Sequence, residues 1–127
     1  MSPTVSIVIP AFNEQLTIKA CVLAAIHQTV APLEVIVVDN RSTDDTAAIV
    51  HALQYSFPEA NIRYLVQDAV QGLVPTRNFG LDAAVGDVIG RIDADSVLEP
   101  NWVQQVRDTF ASGEVAAASG PMIPIMW

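Results

Sequence analysis

Short apolar runs alternate along this 127-residue chain with stretches in which apolar residues recur every three or four positions. Val5–Pro10 and Leu33–Val38 are nearly continuous aliphatic runs, which is typical of strands buried on both faces of a parallel sheet. Shorter runs predict a third strand over Ile62–Val66, a fourth over Asp87–Ile92 and a fifth from Val115 onward.

Four helical patterns lie between or after these strands, each with a start signal. Asn13 precedes the first helix, Ser42 or Thr43 the second, Pro75 stands in the first turn of the third, and Pro100 opens the fourth. In the first helix the apolar face is expected to consist of Leu16, Ala20, Leu23, Ile26 and Val30.

Strands that alternate with helices indicate an α/β protein with an open, mainly parallel sheet, flanked by helices and joined by right-handed crossovers. The length suits one domain, and no linker, repeat or low-complexity segment divides residues 1–127. In such sheets ligands bind in the crevice beyond the carboxyl ends of the strands. The residues that follow each strand are therefore the first candidates for a functional site.

Polar and acidic residues follow three of the predicted strands, in the segments Pro10–Glu14, Asp39–Thr46 and Asp93–Ser96. The topology brings these segments to one edge of the sheet. Carboxylates crowded together raise one another's pKa unless a cation or a hydrogen-bond donor compensates. A bound metal ion carrying phosphates would be one such compensation.

Asp93 and Asp95 are the most informative pair among these acids. In an extended segment residues two apart point to the same side, so both carboxylates can share one ligand complex. Their hard oxygen atoms suit Mg²⁺ or Mn²⁺, which prefer a few carboxylates together with substrate phosphates. The structural alternative is that the two aspartates cap the turn after the strand.

Three further side chains have both a binding and a structural interpretation. Asp39 could accept a hydrogen bond from a nucleobase or a ribose hydroxyl, or bond within its own turn. Phe12 could lie against a nucleobase or pack in the core. Arg77, on the third helix, could face the base or the phosphates, or remain a solvated helix charge.

The composition narrows the classes of function. Hydrophobic residues make up 51% of the chain and charged residues 16%, which suits a packed core. A net charge of −8 argues against general nucleic-acid binding, although a metal can still bridge carboxylates to a nucleotide. The single cysteine, Cys21, excludes an internal disulfide, and no apolar stretch reaches the roughly 18 residues of a membrane span. The expected compartment is the cytoplasm.

Four segments resemble, in order, the motifs of the large family 2 of glycosyltransferases: Val5–Glu14, Glu34–Thr46, Gly72–Gly80 and Gly86–Asp95. Together they cover nearly all of the chain. The resemblance implies the GT-A fold, whose Rossmann-like half binds a nucleoside-diphosphate sugar, and an inverting transfer of that sugar to an acceptor. UDP is the commonest nucleotide among similar proteins, and GDP and dTDP also occur.

The resemblance also implies roles for single residues. Asp95 corresponds to a direct metal ligand, and Asp93 to a residue that faces the ribose or the metal. The metal, Mg²⁺ or Mn²⁺, would act as a Lewis acid on the leaving diphosphate. The full set of residues expected to bind the nucleotide is Pro10, Ala11, Phe12, Asn13, Asp39, Arg77 and Asp93.

The family's general base and acceptor-binding region follow the fifth strand, and no matching segment is found here. We therefore expect residues 1–127 to be a nucleotide-sugar-binding domain truncated before the acceptor-binding half, with the catalytic base and the acceptor unknown. The apolar segment Val115–Trp127 is expected to favour self-association. The full-length protein could act at the cytoplasmic face of a membrane.

Other classes of function compete with this interpretation. A non-catalytic nucleotide-binding or assembly module would need neither a base nor an acceptor site. The segment Asp93–Leu98 faintly resembles the nucleophile loop of haloacid dehalogenase phosphohydrolases, but that loop follows the first strand of its fold. A phosphoaspartate receiver domain is disfavoured because its acids follow the first and third strands.

Overall fold

The computed structural model describes residues 3–111 and 125–126. The strands are β1 (Val5–Ala11), β2 (Glu34–Asp39), β3 (Ile62–Val66), β4 (Val88–Arg91) and β5 (Ile125–Met126). The helices are α1 (Ile18–Ile26), α2 (Thr46–Ser56), α3 (Leu73–Ala83) and α4 (Trp102–Ala111).

The strands form one sheet in the order β3-β2-β1-β4-β5. β1 to β4 run parallel to one another, and β5 pairs with β4 in the antiparallel direction. The predicted open, mainly parallel α/β sheet is therefore confirmed. All residues of β1 and β2, the two strands with continuous apolar runs, are buried, as expected for strands covered on both faces. The predicted start of the fifth strand at Val115 lies outside the described residues.

Alternate side chains of β1 point into two different apolar layers. Ile7 and Ile9 belong to the larger core, which also contains the buried residues of α1, α2 and α4. Val8 faces the opposite side and packs with residues of α3. At the crossing of α3 over the sheet, a Cβ on Gly80 would come within 2.5 Å of a Val8 methyl, so α3 approaches β1 more closely than any larger residue allows.

The prediction for α1 is wrong at its start and at two positions of its face, whereas Leu23, Ile26 and Val30 pack against the core as expected. The helix begins at Ile18, with Thr17 rather than Asn13 in the capping position. Leu16 is 94% exposed, and Ala20 also faces solvent. A turn comes before the helix, and in it the amides of Thr17 and Ile18 both donate to the Glu14 carbonyl. The regular helix therefore starts later than predicted, with a different set of residues facing the core. The observed buried face is Ile18, Cys21, Val22 and Ala25.

The start of α2 also differs from the prediction, because neither Ser42 nor Thr43 caps it. The helix begins at Thr46, and the Asp44 carboxylate accepts hydrogen bonds from its amide at 2.9 Å and its hydroxyl at 2.6 Å. An acid at a helix N-terminus also interacts favourably with the helix dipole.

None of the helices in residues 3–111 has the length and apolar character required to cross a bilayer.

Candidate functional site

A cleft of about 480 Å³ lies at the carboxyl edge of the sheet, where β1 and β2 end and the chain leaves β4. One side is formed by the turn after β1 and by the segment after β4. The other side is formed by the start of α3 and the residues before it. The lining residues are Pro10, Ala11, Phe12, Glu14, Asn40, Gln71, Gly72, Leu73, Thr76, Asp93, Ala94 and Asp95.

Asp93 and Asp95 reach the cleft because the chain after β4 alternates its side chains. Ala94 is 4% exposed and packs into the core, whereas both aspartates are exposed. Neither carboxylate forms a hydrogen bond or an ion pair with another of the described residues. The turn is closed instead by the amide of Ser96, which donates to the Asp93 carbonyl. Both side chains are thus free to bind a ligand.

The cleft is acidic. Glu14 adds a third carboxylate to those of Asp93 and Asp95, and the lining includes no lysine, arginine or histidine. The three charges act together on Cys21, whose buried thiol donates to the Asp93 carbonyl over 3.5 Å. Burial raises the pKa of the Cys21 thiol to about 12, with further contributions from Asp95, Asp93 and Glu14.

The donor atoms suit a divalent cation that shares its coordination with a substrate. Among the described residues no group of three or more His, Cys, Asp or Glu side chains could enclose a metal alone. Mg²⁺ and Mn²⁺ are commonly held by one or two carboxylates, with water and phosphate oxygens completing the shell. The unpaired carboxylates of Asp93 and Asp95 fit this mode of binding.

Phe12, Pro10 and Ala11 are brought to the cleft as their sequence segment suggested. Phe12 is 47% exposed at the rim, so it does not pack in the core. Leu73, which is 56% exposed, also lines the cleft. The cleft therefore has two exposed apolar side chains that could contact a planar ring. The contact of Phe12 with a nucleobase stays a prediction.

Asn13 lies beside the cleft and not in its lining. Its side-chain oxygen accepts a hydrogen bond from the Thr43 amide at 2.8 Å, and its own amide donates to the Ser42 hydroxyl at 2.9 Å. A backbone φ of 53° turns the chain sharply at this point. The neighbouring amide of Glu14 donates to the Thr46 hydroxyl. These bonds tie the turn after β1 to the turn after β2.

Asp39 is 2% exposed and does not line the cleft. Its carboxylate accepts hydrogen bonds from the Ser42 amide at 2.9 Å and from the Tyr64 hydroxyl. Burial, followed by the bond to Asp39 and its charge, raises the pKa of Tyr64 above its ordinary value. The observed contacts are those of the turn-forming alternative, and the nucleotide role of Asp39 stays a prediction.

Arg77 is not brought into the cleft lining, although its neighbour Thr76 is. Its Nε is buried and has no hydrogen-bond partner in the described residues. The same is true of Arg91, at the end of β4. The structure therefore leaves the predicted nucleotide contact of Arg77 without direct geometric support.

Seven lining residues were not among the predicted site residues: Glu14, Asn40, Gln71, Gly72, Leu73, Thr76 and Ala94. Asn40 lies in the segment after β2 that the strand-end rule had singled out, but no role was predicted for it. Gln71 could not have been found in this way, since it belongs to no regular element and is held beside the cleft by hydrogen bonds with Asn40 and Arg41.

Comparisons with known proteins agree with this architecture. Residues 6–126 match the model of the family described as glycosyl transferase family 2. Glycosyltransferase AglE of Haloferax volcanii is 33% identical over 120 residues, which are 93% of this chain and 39% of the relative. Chondroitin synthase of Escherichia coli is 37% identical over 108 residues, covering 85% of this chain and 15% of the relative. The chain thus spans well under half the length of these relatives.

Solved structures show the same fold. The mannosyltransferase PcManGT from Pyrobaculum calidifontis, in complex with GDP-Man and Mn²⁺, superposes with a TM-score of 0.74 at 27% identity, covering 80% of this chain and 30% of that one. Glucosyl-3-phosphoglycerate synthase from Mycobacterium tuberculosis, with Mn²⁺, UDP and its product, gives 0.68 at 29% identity, with 88% and 41% coverage. The GT-A fold that the sequence resemblance implied is therefore confirmed. With its strand order and the family match over residues 6–126, the chain belongs to glycosyl transferase family 2.

Proposed function

We propose that this chain is the donor-binding part of an inverting glycosyltransferase that holds a nucleoside-diphosphate sugar through a divalent metal ion. The acidic cleft is the observation that carries the proposal. Its lining contains three carboxylates and no basic side chain, so a diphosphate would be repelled without a cation between them. A divalent ion on Asp93 and Asp95 converts that repulsion into attraction.

Each side of the cleft has a separate task in this proposal. Asp95, with Asp93, holds the cation and thereby fixes the diphosphate at the carboxyl edge of β4. Phe12 and Leu73 present exposed apolar surfaces in the cleft lining, and the nucleobase lies against them. When bound, the metal supplies positive charge that stabilises the leaving diphosphate. Inversion at the transferred sugar is proposed from family membership alone.

The donors of similar proteins are consistent with this assignment. GDP-Man with Mn²⁺ and UDP with Mn²⁺ occupy the two solved structures described above. We propose a UDP-sugar as the donor of this chain, with GDP and dTDP as the competing nucleotides.

The proposal is tested by calorimetric titration of the chain with UDP, GDP and dTDP. Each nucleotide is titrated with Mn²⁺, with Mg²⁺ and with EDTA. We expect one nucleotide to bind with the metal and affinity to fall by at least roughly 100-fold in EDTA, because bare carboxylates repel the phosphates. Equal affinity with and without metal would show that the carboxylates do not act through a cation.

A further inference from the structure

The segment Gln67–Gly72, here called the cleft wall, connects β3 to α3 without regular secondary structure. Gln71 and Gly72 of this wall line the cleft. A segment outside a helix or sheet must satisfy its backbone groups in other ways when it lies against the protein. In the cleft wall one side chain from outside the segment bonds to three of these backbone groups.

That side chain is Asn40, the first residue after β2, which is 2% exposed. Its Nδ2 donates to the carbonyls of Gln67 at 2.7 Å and Val70 at 3.1 Å. Its Oδ1 accepts from Gln71 Nε2 at 2.8 Å and from the Gly72 amide at 2.8 Å. An asparagine amide has two donor hydrogens and two acceptor lone pairs. All four are used within the protein, so the Asn40 side chain has no remaining group to offer to a ligand.

Two other side chains complete the arrangement. Gln67 is 4% exposed; its Oε1 accepts from the Val70 amide at 2.8 Å, and its Nε2 donates to the Val70 carbonyl at 2.6 Å. Gln67 does not itself line the cleft. On the outer side, Arg41 donates to Gln71 Oε1 at 3.2 Å, which holds Gln71 between two consecutive residues of the turn after β2.

We propose that Asn40 is a positioning residue that fixes the cleft wall in the shape that the donor nucleotide requires, without contacting the nucleotide through its side chain. The inference rests on the proposed function for the identity of the ligand. Only an amide side chain can make both the two donor and the two acceptor contacts observed at this position. A carboxylate of the same shape would place two acceptors against two backbone carbonyls.

The test compares Asn40→Asp with Asn61→Asp. Asn61 is a matched control because its Nδ2 also donates to a backbone carbonyl, that of Leu33, but at the exposed amino edge of the sheet. We expect Asn40→Asp to weaken binding of UDP with Mn²⁺ by roughly tenfold or more, since two hydrogen bonds become repulsive contacts. The exchange of the Gly72 amide with solvent should accelerate in the same variant. The control should match the wild type in both measurements.

A pH series separates positioning from simple loss of structure. Burial and the two facing carbonyls should raise the pKa of the introduced carboxyl above that of a free aspartate. Its protonation restores one donor toward the carbonyl of Gln67 or Val70. The ratio of wild-type to Asn40→Asp affinity should therefore shrink as the pH falls from 8 to 5, while the corresponding ratio for the control stays constant. A ratio that does not change with pH, in a folded variant, would contradict the proposed geometry.

Gln67→Glu provides the second variant, because Gln67 supports the wall but lies outside the cleft lining. We expect it also to weaken nucleotide binding and to speed exchange at the Gly72 amide.

Unchanged affinity in either folded variant, despite faster exchange, would show that the shape of the cleft wall does not matter and would overturn the inference. If the wild type binds no nucleoside diphosphate with metal, the proposed function fails. If exchange at the Gly72 amide in Asn40→Asp is the same as in the wild type, Asn40 does not hold the cleft wall.

Discussion

Carboxylates at the two edges of the sheet have opposite surroundings. At the amino edge Glu34 is 1% exposed, and it accepts hydrogen bonds from the Ser6 hydroxyl at 2.6 Å, the Val85 amide at 2.7 Å and Arg63 at 2.7 Å. At the carboxyl edge Asp93 and Asp95 are exposed to the cleft, with no partner among the described residues.

The difference separates a structural carboxylate from one available for binding. Burial alone would raise the pKa of Glu34, but the hydrogen bonds from Ser6, Val85 and Arg63, with the charge of Arg63, lower it below its ordinary value. A buried charge persists only when such partners are supplied by the fold. An unpaired acid at a cleft keeps its hydration, and it can exchange that water for a metal ion. Substitutions at the two edges should therefore change different properties of the protein.

The largest expected effect is on stability, from Glu34→Ala. Removal of this carboxylate leaves the buried Ser6 hydroxyl, the Val85 amide and Arg63 without their shared acceptor. We expect the free energy of unfolding to fall by about 3 kcal/mol, measured by urea denaturation. Glu59→Ala, at an exposed position on the same edge, should change it by less than about 0.5 kcal/mol. Equal stability of the two variants would show that the partners of Glu34 are dispensable.

Asp95→Asn should weaken nucleotide binding without lowering the stability of the protein. We expect affinity for a nucleoside diphosphate with Mn²⁺ to drop roughly 100-fold, or about 2.7 kcal/mol, because the metal loses a charged ligand. Stability should not fall, since the substitution removes one of three like charges. Asp82→Asn, exposed on α3, makes the same charge change away from the cleft and should bind as the wild type does. A destabilised Asp95→Asn variant with intact binding would make this residue structural.

The free energy of unfolding should depend on pH through the ionisation of Glu34. Its pKa in the folded protein lies below its ordinary value of 4.5, so the unfolded chain binds the proton more readily. The stabilisation is present above pH 4.5 and is lost as the pH falls through the lowered pKa of the folded state. Urea denaturation across this range should show a steeper decline for the wild type than for Glu34→Gln. Parallel curves would assign the acid sensitivity to other carboxylates.

The smallest effect is expected at Asn13, which tests whether a polar residue beside the cleft is structural. Asn13→Gly keeps the backbone φ of 53° accessible but loses the bond to Thr43, at a cost of about 1 kcal/mol. Asn13→Ala should cost about 1 kcal/mol more, because the left-handed conformation is strained for alanine. Nucleotide affinity should change little in the glycine variant. A large loss of affinity at unchanged stability would restore the predicted contact with the nucleotide.

The sequence by itself determined the architecture and the location of the acids. The continuous apolar runs of β1 and β2 predict fully buried parallel strands, because a strand covered on both faces has no solvent-facing side to make polar. Once the sheet is parallel, its carboxyl edge collects the residues after each strand, and Asp93 and Asp95 are placed there by a period of two.

Tertiary structure decided the roles of residues whose hydrogen bonds join loops that are distant in the sequence. Whether Asn13 caps a helix or binds Thr43 is set by a neighbouring turn that lies 30 residues away in sequence. The burial of Asp39 depends on Tyr64 in β3, and the position of Gln71 depends on Asn40. These contacts leave no periodic signal, because a hydrogen bond between loops needs only one suitable pair of groups and imposes no repeating pattern on the residues around it.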